Sequence, residues 1–421
     1  MMRKIFAVLL ILLGCQQTCL AAKLYIPMSA DNQTEHLKAY GIAFVALQSG
    51  LSVDWLLNYD GGAFAMDQND AVERICKLRN VKYRIIADAQ YAGIVSEIAN
   101  PDFNGDLIRL EKPPKIAVYT PHSKLPWDDA VTLVLTYAEI PYDKVYDDEL
   151  LADKLHEYDW LHLHHEDFTG QFGKFWSAYR EAAWYKEDVH YQEALARKHG
   201  FNKVSQLKLA VAKKIRDFVA GGGYLFAMCS ATDSYDIALS ADGVDICETP
   251  FDGDPMDPNA QNKLNYNNCF AFKDFKLVID PRRYEYSDID NTEHRRVDPN
   301  NDYFSLFTFS AKFDPVPSML TQNHTTTIKG FMGQTTSFRK PTIKSNVVIM
   351  GENRSANEAR YIHGEYGKGT FTFYGGHDPE DYQHAIGDPP TDLSLHPTSP
   401  GYRLILNNVL FPAAKKKHRK T

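Results

Sequence analysis

Cysteine is scarce in this chain: six among 421 residues, two of them, Cys15 and Cys19, near the start. The other four, Cys76, Cys229, Cys247 and Cys269, are too few to staple a fold of this length, so stability must come from apolar burial. Cys247 and Cys269 form a candidate pair, and Cys229 can be reactive only if it stays unpaired. Long apolar runs are lacking after the first residues, and none approaches the roughly 18 that a membrane-spanning helix needs. Clustered positive charge is lacking too. The net charge is −8 and the one basic run is the terminal KKKHRKT, a solvated tail, which argues against a nucleic-acid surface. There is no internal repeat and no H-E-x-x-H zinc pattern. The acidic loop FDGDPMDPN, with Asp252, Asp254 and Asp257, lacks the glycine and closing Glu of an EF-hand. The sequence therefore assigns no metal and no cofactor.

What is there begins with MMRKIFAVLLILLGCQQTCLAA. A basic start, a short apolar run and a small-residue end predict a bacterial export leader over residues 1–22. Release into the periplasm is expected, with membrane attachment only if Cys15 in Leu13-Gly14-Cys15 is lipidated. The body of the chain, 44% apolar and 24% charged, has the composition of a globular protein. Strands alternate with helices from Lys23 to a seam at Pro113 and Pro114, predicting an N-terminal α/β domain with a parallel sheet over 23–113. A second α/β domain is expected over 114–412, interrupted by a β-rich insertion at about 249–345, where Asp, Pro, Asn and aromatics replace any helical period. Residues 413–421 form the basic tail.

Three stretches could carry chemistry. In GGGYLFAMCSATDSYD, a helix ends on glycines, a strand follows, and Cys229 stands where a second helix opens. Ala227 and Ala231 flank it with the small side chains that a crowded nucleophile turn needs, and a helix start favours a thiolate and can hold an oxyanion. The bland alternative is a buried cysteine at a strand end. In YGGHDPEDYQ, His377 offers a base, with Asp378, Glu380 and Asp381 near enough in sequence to orient it; an ordinary turn is the alternative reading. In LHLHHEDFTG, His162 and His164 share a strand face, and His165, Glu166 and Asp167 stand at its tip. The loop TPHSKLPWDD adds His122, Trp127 and Asp128 to the same rim. All four lie at carboxyl ends of predicted parallel strands, where open α/β sheets place their ligand sites.

From about Lys115 onward, the order strand, helix, FVAGGGYLFAMC and late GHDPE resembles a class I glutamine-amidotransferase-like domain. The ending GKGTFTFYGGHDPEDY is similar to the trehalose-utilisation branch of that superfamily. The resemblance implies a flavodoxin-like sheet with helices on both faces, with Cys229 as nucleophile, His377 as base and Glu380 as the acid. Departures accompany it: Ala replaces Gly on both sides of the cysteine, an extra residue separates His377 from Glu380, and HHED stands where the family's oxyanion glycines would be. The whole chain also resembles a group of exported bacterial proteins that carry the automatic label asparagine synthetase B, through stretches such as LKAYGIAFVALQ and DGDPMDPNAQ. An enzyme of that name needs an N-terminal Cys and an SGGxDS-type ATP loop, and this chain has neither.

Three functions remain open. One is a Cys–His hydrolase acting on an amide or ester of a sugar- or peptide-derived molecule, with His164, His165, Glu166, Asp167, Trp127 and Ser230 lining the substrate. The second is a non-catalytic binding protein of the periplasm or envelope on the same fold. The third is a metal-dependent hydrolase centred on His162, His164 and His377. Oligomeric state is not legible in the sequence.

Overall fold

A computed structural model describes residues 22–121 and 126–415. Residues 1–21 of the expected 1–22 leader, Cys15 among them, as well as His122 and the tail beyond Lys415, lie outside the described residues. The fold is α/β, built on two sheets.

The first sheet has five strands, β1 (Ala22–Ile26), β2 (Val53–Leu57), β3 (Ala63–Asp67), β4 (Arg84–Ala87) and β5 (Asp106–Leu110), in the order β4-β1-β3-β2-β5. Every pairing is antiparallel, which corrects the expected parallel N-terminal sheet. The cause is a hairpin: Asn58 to Gly62 turn β2 back as β3, with Asn58, Asp60, Gly61 and Gly62 all in left-handed backbone, and β3 then separates β1 from β2. Helix α1 (His36–Gln48) covers one face of this sheet. Gly41 lets it approach the rest of the molecule, since a Cβ there would meet the Ala138 carbonyl oxygen.

The second sheet has ten strands. Its parallel half comprises β6 (Ile116–Tyr119), β7 (Asp143–Val145), β8 (Trp160–Leu163), β9 (Tyr224–Met228) and β15 (Gly369–Tyr374), in the order β15-β9-β8-β6-β7. Its antiparallel half continues outward from β15 through β14 (Glu358–Tyr366), β13 (Val348–Asn353), β10 (Tyr303–Leu306) and β11 (Thr327–Lys329), while the two-residue β12 (Phe338–Arg339) also pairs with β14. The region 249–345 thus supplies β10, β11 and β12, joined by long loops and short helical turns.

Helices α2 (Ala130–Tyr137), α3 (Val204–Gly221) and α4 (Ala231–Ser240) flank the parallel strands. The sequence explains α3: Leu207, Val211 and Ile215 lie on one buried face, and Gly222, at φ 123°, ends it. Helix α5 (Pro400–Leu410) is buried along its whole length between the two sheets. It shares one apolar core with α1, including Tyr40, Trp55 and Phe64 from the first sheet's side and Phe226 and Tyr374 from the second. All four cysteines among the described residues are free. Cys247 and Cys269 are not a disulfide: their thiols donate separately to the Thr169 and Asp236 carbonyls.

Candidate active site at the carboxyl edge of the parallel strands

The end of β9 places Cys229. Its φ is +51°, a left-handed conformation that costs an L-residue roughly 1–2 kcal/mol and gives the sharp strand-to-helix turn that a nucleophile elbow would need. The turn is held from both sides. Cys229 N–H donates to the Gly376 carbonyl, Thr232 donates to the Cys229 carbonyl, and Ala231 N–H donates to the His164 carbonyl. Ala227 and Ala231 are fully buried against this turn, so larger residues would have no room.

The thiol is only 5% exposed, and burial pushes its pKa up to about 12. The backbone N–H groups of Ser230 and Gln334 act against that by favouring the thiolate. Two buried acids nearby, Asp233 and Asp290, disfavour it. Burial keeps Asp233 well above the ordinary carboxylate range and Asp290 at about 7. These acids were missed in the sequence, because a polar residue on the inner face of a short helix and one in a distant loop carry no pattern.

β15 and β8 bring two histidines to the same place. The left-handed Gly376 turns the chain after β15 and delivers His377, whose Nδ1 lies 3.1 Å from His164 Nε2. Cys229 Sγ, one ring nitrogen of His164 and one of His377 lie within 4.8 Å of one another. Burial lowers the His377 pKa, keeping the ring neutral. The opposite nitrogen, Nε2, faces Asp128 Oδ1 at 3.6 Å, beyond hydrogen-bond distance while the ring is neutral. Burial alone would raise Asp128, but the His377 and His384 rings beside it outweigh that and hold it low.

Glu380, expected to orient His377, does not reach it: its carboxylate pairs with His396 at 3.1 Å. The extra residue in His377-Asp378-Pro379-Glu380 carries it away, and Asp128, from the loop after β6, occupies the acid's place. Asp378 accepts the Glu380 N–H, and Asp381 holds His384 Nδ1 at 2.9 Å.

The neighbouring Asp129 caps α2, accepting the Val131 and Thr132 N–H groups. It also faces His162 Nε2 and His164 Nδ1, each at 3.3 Å. Those two rings hold it well below the ordinary range despite burial. His162 reaches no further into the site, because its Nδ1 lies 3.2 Å from the Phe226 carbonyl oxygen.

The loop after β8 splits into structural and open groups. Asp167, expected to bind substrate, is committed to its own loop: it accepts from Thr169 N–H, Thr169 Oγ1 and Gly173 N–H. Glu166 uses one oxygen to accept the His164 N–H, while the other has no partner, and burial raises its pKa to about 8. Glu166, His165 and Trp127 line a cavity of about 40 Å³ with Lys208 and Asp188. Trp127 closes it in contact with His165, Phe175 and Trp184. Ser230 is buried and its part is its backbone amide. A larger hollow of about 670 Å³ lies elsewhere, near Cys269, Lys344 and Tyr366, and contains none of these groups. The acidic loop at 252–257 meets a lysine: Lys203 Nζ contacts Asp245, Asp252 and Asp254.

No family model and no curated protein matches the chain. Among solved structures, it is similar at 12% identity to cytoplasmic protein STM3548 from Salmonella typhimurium, over 72% of this chain and 100% of that one, with a TM-score of 0.36. It is similar at 14% to cytoplasmic protein STM1381 of Salmonella typhimurium LT2, with the same coverages and a TM-score of 0.35. A GH42 beta-galactosidase, Gan42B, aligns at 11% over 63% of this chain and 28% of its own, with a TM-score of 0.26.

Proposed function

We propose that this chain is an exported thiol hydrolase on an amidotransferase-like sheet, acting on an amide or ester. The observation that carries the proposal is the left-handed Cys229 at the end of β9, grouped with ring nitrogens of His164 and His377. His377 takes the Cys229 proton and the thiolate adds to the substrate carbonyl. The Ser230 and Gln334 N–H groups are the donors available to the developing oxyanion. The tetrahedral adduct expels an amine or alcohol, which takes the proton from His377. Water, deprotonated by the same ring, then releases the acid and restores the thiol. Asp128 stabilises the imidazolium formed in each half. Trp127, Phe175 and Glu166 present an aromatic and acidic wall that suits a sugar- or peptide-derived acyl group. Export rests on the leader pattern over 1–22.

The second reading, a non-catalytic binding protein, is favoured by one specific observation: the thiol is nearly enclosed and its pKa stands at about 12.

Iodoacetamide labelling mapped by mass spectrometry, run beside p-nitrophenyl acetate turnover, separates the two. The hydrolase reading expects Cys229 to be alkylated in the folded protein faster than Cys76, Cys247 and Cys269. It also expects Cys229→Ser to abolish turnover. If Cys229 is labelled only in denaturant and Cys229→Ser turns over ester like the parent, the hydrolase reading fails and the binding protein stands.

A further inference from the structure

We propose that Asp128, His377 and His384 form a mononuclear site for a divalent first-row transition metal. His384 belongs to the loop beyond His377 and takes no part in the thiol chemistry. Its Nε2 lies 3.0 Å from Asp128 Oδ1, and His377 Nε2 lies 3.6 Å from the same oxygen. The three donor atoms are all within 4.8 Å of one another. Two ligands each about 2.0–2.2 Å from one ion stand about 2.8–3.6 Å apart at the angles of a four- to six-coordinate centre. The two Asp128–imidazole pairs are thus spaced as ligands of one ion.

They are also unsatisfied. Neither oxygen of Asp128, nor Nε2 of His377, nor Nε2 of His384 makes a hydrogen bond. Their side chains are 10%, 9% and 5% exposed. Buried polar atoms are ordinarily hydrogen-bonded, whereas Asp128 has two imidazoles beside it, at 3.0 and 3.6 Å, and an aligned hydrogen bond to neither. A cation among them satisfies all of these atoms at once.

The outer contacts agree. His384 Nδ1 is held by the Asp381 carboxylate at 2.9 Å. His377 Nδ1 is held by His164, which in turn faces Asp129 at 3.3 Å. Metal-binding histidines characteristically give their second nitrogen to such a partner, which fixes the tautomer and aims the lone pair at the metal. With Nδ1–H donated to Asp381, the His384 Nε2 lone pair faces a carboxylate oxygen, a contact between two acceptors. The alternative is an imidazolium shared by Asp128 and Asp381 with no ion bound.

Two imidazoles and one carboxylate leave coordination positions open for water or a ligand oxygen, a donor set suited to Zn²⁺, Fe²⁺, Mn²⁺ or Co²⁺. Cys229 is not a ligand, so the site stands whether or not the thiol is a nucleophile. The two uses of His377 compete: an ion on Nε2 and Asp128 withdraws the base and its acid, so a loaded protein has a slower thiol.

The test uses the full chain, stripped with chelator, titrated with Zn²⁺ by calorimetry and with Co²⁺ by visible absorption. The expected result is one ion per chain and a cobalt d–d band. His384→Ala should weaken binding about 100-fold and Asp381→Asn about 10-fold, while Cys229→Ala stays within about twofold. Zinc should also raise the melting temperature of the parent but not of His384→Ala. Should His384→Ala fail to fold, Asp381→Asn, which keeps all three ligands, decides the matter. The proposal is overturned if no ion binds, or if binding survives both substitutions. It is equally overturned if Cys229→Ala alone abolishes binding, since the ion would then sit between His164, Cys229 and His377. Loss of binding in His384→Ala with Cys229 alkylation intact would uphold the metal site and the thiol reading separately.

Discussion

Asp128 and Glu380 show how a single residue changes the chemistry assigned to a site. Glu380 is three positions from His377 and Asp128 is roughly 250, so proximity in sequence favours the acid that faces His396 over the one that faces His377. The placement of Cys229 and His377 at the sheet edge was legible because each follows a strand with a local pattern, small flanking residues in one case and a glycine pair in the other. Asp128 was legible only as part of a polar rim. His384 gave no signal beyond its spacing of three from Asp381. If Asp128 supports the His377 imidazolium, Asp128→Asn should slow Cys229 alkylation about tenfold near neutral pH. Glu380→Gln should leave the rate within about twofold, because its carboxylate faces His396. Second-order alkylation rates of the two variants in metal-free buffer give the comparison. Equal slowing by both would return the acid's role to Glu380.

At the scale of elements, the parallel half of the second sheet was readable because its strands are short apolar runs separated by helices with clear ends, such as the glycines closing α3. The first sheet carries the same alternation of helix and strand and yet is antiparallel. The missing information lay in NYDGG: a glycine-containing turn between VDWLL and AFAMD is a hairpin signal, and β3 inserts between the strands that α1 connects. Where α1 meets the end of α2, contact depends on the absence of a side chain. A Cβ on Gly41 would stand 1.9 Å from the Ala138 carbonyl oxygen, and backbone cannot swing aside as a flexible side chain does. Alanine normally favours a helix over glycine by about 1 kcal/mol. Here overpacking should outweigh that, and Gly41→Ala should destabilise by about 1–3 kcal/mol. Urea unfolding measures it; a variant as stable as the parent would mean that α1 and α2 are not in contact.

Across the whole molecule, α5 ties the sheets through polar groups that apolar periodicity does not reveal. Arg403 donates to Tyr40 Oη and to the Met28 and Gly61 carbonyls on the first sheet's side. Asn407 accepts from Tyr40 and donates to the Leu320 and Gln322 carbonyls on the other. A core this rich in buried polar groups should have a distinctive pH dependence. Burial raises Glu166 to about 8, Asp290 to about 7 and Asp236 to about 6. Each carboxyl keeps a proton in the folded state that the unfolded chain releases above about pH 4. Their contribution is therefore lost as pH rises through the folded values. Burial lowers His36 to about 3 and His324 and His363 to about 4. Their contribution is lost in the opposite direction, as pH falls below about 6.5 and the unfolded chain takes up protons that the folded state refuses. The two sets offset one another between about pH 4 and 6.5. Above that window only the carboxyls act, so stability should peak on the acid side of neutrality and fall from about pH 6.5 to 8. Each group still protonated in the folded state contributes about 1.4 kcal/mol per pH unit. Urea midpoints across pH 5 to 8.5 should show this fall, and the pair Glu166→Gln and Asp290→Asn should flatten it. A parent protein that grows more stable from pH 6.5 to 8 would mean that these carboxyls are ionised in the fold, with cations beside them.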